Sequence, residues 1–172
     1  MRMLLLIPLL LASLSVSATD SLLEKVKESV SGVTPIDATE WYKKGDTNFA
    51  EYEGEYRGVK QKIKVAVKTG EIHIKSEVDR GDLAKDMDAF MRESTLRCNL
   101  IFRSIILPAD KLAAVTDWNN DESDGFEFME AETVSESTRH EAMNGAPHKN
   151  IYGWDVSIRR ELGKTACSAI KN

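Results

Sequence analysis

Apolar positions along the chain change period twice, and the two changes divide it into helical and extended stretches. From Ser21 to Ser31 the residues Leu22, Leu23, Val26 and Val30 recur at helical spacing, with Gly32 as the stop. Residues 34–45 read as a connector. The period then falls to two: Tyr52, Gly54 and Tyr56 alternate with Glu51, Glu53 and Glu55, and Val59, Ile63, Val65 and Val67 with Lys60, Lys62, Lys64 and Lys68. With Arg57-Gly58 as a two-residue turn, Glu55 faces Lys60, Glu53 faces Lys62 and Glu51 faces Lys64, three opposite-charge pairs that a one-residue slip would abolish. Thr69-Gly70 turns the chain again into Glu71–Val78, completing a three-strand meander. His73 falls on its charged face between Glu71 and Lys75, where a solvated, inert role is expected.

Beyond the meander, Leu83, Met87, Phe90 and Met91 predict an amphipathic helix from Asp82, its N-cap, to about Ser94. That capping role accounts for the Asp82 of the Arg80-Gly81-Asp82 tripeptide. Residues 96–106 fit two templates. A helix would align Cys98, Ile101, Phe102 and Ile105; a strand would bury Leu96, Cys98, Leu100, Phe102 and Ile106 and expose Arg97, Asn99 and Arg103. The strand is favoured here, because a long helix would leave Leu96, Leu100 and Ile106 off its apolar side. Ala109–Trp118 reads as a short helix, Phe126–Val134 and Ile151–Leu162 as a later hairpin, residues 135–150 as a long polar loop, and Cys167 as part of a final helical turn or tail. The fold class is α+β: an antiparallel sheet, a three-strand meander plus a later hairpin, packed by helices mainly on one face.

The 172 residues suit one domain behind a processing segment. Arg2, the apolar run Met3–Leu14 and the small residues Val16-Ser17-Ala18 have the layout of a signal peptide over residues 1–18, leaving a globular domain over 19–172. The apolar run is shorter than the roughly 20 residues a membrane helix needs. Export would deliver Cys98 and Cys167 to an oxidising compartment, periplasmic or extracellular, where the two are expected to form a disulfide.

Charge narrows the functional classes. The chain carries 23 Lys and Arg against 28 Asp and Glu, a net −5, which argues against general nucleic-acid binding. Between Asp117 and Glu141 stand nine acids against Arg139 alone. This segment, with Asp121, Glu122, Asp124, Glu127, Glu130, Glu132, Arg139 and His140 as the candidate contact residues, suits a basic protein partner. The leading expectation is an exported, non-enzymatic binding module, of inhibitor, immunity or chaperone-like type, with no cofactor. The alternative is a small metal-dependent hydrolase using His140, Glu141 and His148. An EF-hand reading of Asp117–Phe128 fails, since Glu122 stands where glycine is required and Phe128 where a bidentate glutamate belongs. Nucleophile elbows, phosphate loops and zinc helices are absent from the sequence.

Overall fold

A computed structural model describes residues 16–78, 87–108, 148–161 and 163–172, the side chains of 16–20, 88 and 148–150 excepted. The chain enters as helix α1 (Val16–Val33), continues through strands β1 (Tyr42–Lys44), β2 (Thr47–Tyr56), β3 (Val59–Lys68) and β4 (Glu71–Val78), and forms helix α2 (Met87–Ile106). Strands β5 (His148–Ile151), β6 (Trp154–Glu161) and β7 (Lys164–Lys171) close it. All described strands join one antiparallel sheet in the order β1-β2-β3-β4-β7-β6-β5, and the helices pack on its inner face. The α+β class expected from the sequence is therefore the one observed.

The meander folds in the expected register: Glu55 opposite Lys60, Glu53 opposite Lys62, Glu51 opposite Lys64. At its first turn Arg57 and Gly58 both hold positive φ, the geometry whose twist matches the flanking strands. In α1, Val26 and Val30 are buried and Leu22 and Leu23 pack at the core margin, as their spacing predicts. The connector over 34–45 is not wholly irregular, since its residues 42–44 form β1 against β2.

The strand expected over 96–106 is instead the second half of α2. The objection to a helix was that apolar residues would occupy more than one side. They do, and more than one side is packed. One side meets the sheet through Phe90, Cys98 and Ile101; a second faces α1, where Ser104 shares a 2.6 Å hydrogen bond with Ser29. The same packing buries Arg97, Asn99 and Arg103, which the strand reading placed in solvent.

The C-terminal part needs three further corrections. Residues 151–162 are not one strand: Tyr152 and Gly153 take positive φ and turn the chain, so that Ile151 pairs with Trp154 and both side chains point inward. Val156 is paired with His148 of β5 on one side and Ala169 of β7 on the other. Cys167 lies in a central strand, β7, between β4 and β6, not in a helical tail. Residues 148–150 of the expected loop belong to β5. The helix expected over 109–118, the strand over 126–134, the rest of that loop, and residues 1–15 and 79–86 lie outside the described residues.

Cys98 of α2 and Cys167 of β7 form a disulfide across a sequence separation of 69, as expected. Both sulfurs sit in the core, the two residues being 1 % and 3 % exposed. A formed disulfide fits an oxidising, extracellular-type environment. No helix among the described residues is long and apolar enough to cross a membrane.

Closing a loop of that length removes enough unfolded-chain entropy to contribute about 4 kcal/mol. The double substitution Cys98→Ala/Cys167→Ala is therefore expected to lower the urea unfolding free energy by about that amount. A loss below about 1 kcal/mol would show that the staple is redundant.

Candidate functional site

Two polar arrangements separate the faces of the sheet. On the inner face, Ser76 of β4 and Thr165 of β7 stand opposite one another, and α2 lays Ser94 and Arg97, one turn apart, over them. Ser94 Oγ and Thr165 Oγ1 are 2.7 Å apart. Arg97 donates from Nη1 to Ser76 Oγ at 2.7 Å and from Nη2 to Gln61 Oε1 at 3.1 Å, and its guanidinium lies 5.6 Å from the centre of the Tyr56 ring. Gln61 in turn donates to the Tyr56 carbonyl at 3.2 Å. The Arg97 side chain is thus held by neutral acceptors, with Nε lacking a hydrogen-bond partner. Burial is the largest influence on it and lowers its pKa to about 10. One turn earlier, Glu93 binds Arg57 through two short contacts of 2.8 and 3.0 Å at the surface. This cluster is enclosed, and it fixes α2 against the sheet.

Among the described residues, no helix packs on the outer face. Alternation places Glu51, Glu53 and Glu55 of β2, Lys60, Lys62, Lys64 and Lys68 of β3, and Glu71, His73, Lys75 and Glu77 of β4 upon it. Lys62 pairs with Glu53 at 2.9 Å, Lys64 with Glu51 at 2.6 Å, Lys68 with Glu71 at 2.9 Å and Lys75 with Glu77 at 2.6 Å. His73 Nε2 is 3.2 Å from Glu71, consistent with its expected place on the charged face. The hydrogen bond from Lys64, followed by one from Tyr42, holds Glu51 below the ordinary glutamate value of 4.5. Hydrogen bonds from Lys68 and then His73 lower Glu71 likewise, and one from Lys75 lowers Glu77. At one corner Tyr42 stacks on Phe49 with ring centres 5.6 Å apart, and Lys64 lies 5.0 Å from the centre of the Phe49 ring. Tyr42 completes the corner by donating to Glu51 at 2.9 Å.

The contact residues expected from charge, Asp121, Glu122, Asp124, Glu127, Glu130, Glu132, Arg139 and His140, all lie outside the described residues, as does Glu141. His148 is the first residue of β5. No group of three metal-ligating side chains occurs among the described residues. Sequence reasoning missed the aromatic corner, because Tyr42 sat in a presumed connector and Phe49 lay before the recognised alternation. It also missed the enclosed Arg97 cluster, because an arginine pattern reads as solvent-facing. No family model, curated protein or solved structure matches the chain.

A carboxylate whose folded pKa is depressed contributes stability above its unfolded pKa and loses it as pH falls through the folded value. For Glu51, Glu71 and Glu77 that window lies below pH 4.5. Urea midpoints taken as pH is lowered through this range should fall less steeply for Glu51→Gln/Glu71→Gln/Glu77→Gln than for the parent. Identical acid limbs would show that these pairs do not couple to folding.

Proposed function

We propose that the protein is an exported, non-enzymatic binding module that engages a basic protein partner through its acidic segment. The observation that supports this reading is the partition of charge. The four described stretches carry 18 Lys and Arg against 15 Asp and Glu, whereas Asp117–Glu141 has nine acids and one arginine. A negative field concentrated in a stretch between α2 and β5 would steer a cationic partner, with contact residues Asp121, Glu122, Asp124, Glu127, Glu130, Glu132, Arg139 and His140. Both flanks of the stretch belong to the disulfide-stapled body, α2 directly through Cys98 and β5 through its pairing with β6. The buried disulfide and the residue 1–18 pattern support export.

Capture from native extract at low salt should yield a basic protein. Its association with Glu127→Gln/Glu130→Gln/Glu132→Gln should be slower and less salt-dependent than with the parent, at unchanged thermal stability. Equal association rates and equal salt dependence for the two would contradict the assignment.

A further inference from the structure

The rows of side chains that cross the outer face are unequal. Register places Tyr42, Phe49, Ala66, His73, Ser168 and Ser157 side by side, one from each of six adjacent strands. After the two stacked rings come mostly short side chains, while the neighbouring row holds Lys64, Lys75 and Arg159, with Ala166 between the last two. The difference in height leaves an open groove of about 400 Å³ over Ala66, His73, Ser168 and Ser157, bordered by those three cations. Five inter-strand steps at about 4.8 Å make the whole row about 24 Å long.

The chemistry of the groove is graded along its length. Beyond one end, along the same row, stands the aromatic corner, where Tyr42 stays 47 % exposed despite stacking on Phe49. The far end has the hydroxyls of Ser157 and Ser168, 2.9 Å apart. Ile170, 41 % exposed, is the other large exposed apolar side chain among the described residues, and it stands beside Ser168 on the same face. The cationic wall runs against sheet economy: Lys64 and Lys75 are directly opposite in register, an arrangement that costs stability, and each relies on a glutamate elsewhere. Arg159 likewise leans on Glu161 at 3.0 Å. An anion lying in the groove would relieve the opposition of the two lysines.

We propose that this groove binds a linear anionic polysaccharide, lying across the strands. A sugar ring would stack on Tyr42, carboxylate or sulfate groups would meet Lys64, Lys75 and Arg159, and sugar hydroxyls would meet Ser157 and Ser168. An extended peptide would more naturally add along a sheet edge than cross its face. A single-stranded nucleic acid would need ring platforms for successive bases, and the rings are confined to one end. The groove is built from residues distinct from the acidic segment, so it stands or falls independently of the basic-partner reading.

Affinity electrophoresis of the full chain through gels containing polygalacturonate, dextran sulfate or unmodified dextran tests the assignment. The protein should be retarded by at least one anionic polymer and not by dextran. Lys75→Gln/Arg159→Gln should weaken that retardation at least tenfold and Tyr42→Ala several-fold. Lys25→Gln/Lys27→Gln, the same charge change on α1, should leave it intact, with circular dichroism confirming that each variant is folded. Passage unretarded by both anionic polymers would overturn the proposal. So would equal loss in the α1 control, or equally tight retention of the parent by a poly-glutamate or single-stranded DNA gel, since each would reduce the effect to unspecific charge.

Discussion

Everything in this fold depends on α2 being held against the inner face of the sheet. Two different interactions hold it there. The Cys98–Cys167 bond joins the helix covalently to β7, while Arg97 and Ser94 reach Ser76, Gln61 and Thr165 through directional hydrogen bonds. The two are unequal in kind. Burying a guanidinium without a carboxylate beside it is costly, so the polar cluster is a weak source of net stability. What it supplies is a single seating for the helix, because only one rotation and register of α2 satisfies those acceptors. The disulfide and the apolar contacts of Phe90, Ile101 and Phe102 supply the free energy that offsets the desolvation.

The parts of the fold that could be read from the sequence were those with strong polarity contrast. Glutamates facing lysines specified the meander to the residue, because charge complementarity and burial both penalise a slip. Where contrast was weak, reading failed. In β7 the inward Thr165, Cys167 and Ala169 alternate with outward Ala166, Ser168 and Ile170, a pattern with almost no difference in polarity between the faces. In α2 the difficulty was reversed: Arg97, Asn99 and Arg103 look like solvent-facing residues, yet the helix is enclosed on several sides and buries them. The turn at Tyr152-Gly153 was hidden by apparent alternation through Tyr152, Trp154, Val156 and Ile158. Of the candidate site, the charges and their pairing between β2 and β3 were legible; the continuation of the rows onto β1 and β7 was not, since neither had been recognised as a strand.

The two described helices occupy one face of the sheet, and no described helix covers the other. Enclosure of the inner face gives a stapled body that can carry binding surfaces without deforming. The outer face presents matched ion pairs, an aromatic corner and a groove with one cationic wall. The acidic stretch between α2 and β5 adds a field of opposite sign.

Native-state hydrogen exchange, resolved by residue, tests the clamping of α2 most directly. In the oxidised protein, amides of α2 from Phe90 to Phe102 should exchange with the same opening free energy as those of β4 and β7, since none can open without unseating the others. Exchange of the α2 amides through a local opening well below that of β4 and β7 would contradict the account. The helix would then be a cover resting on an independently stable sheet.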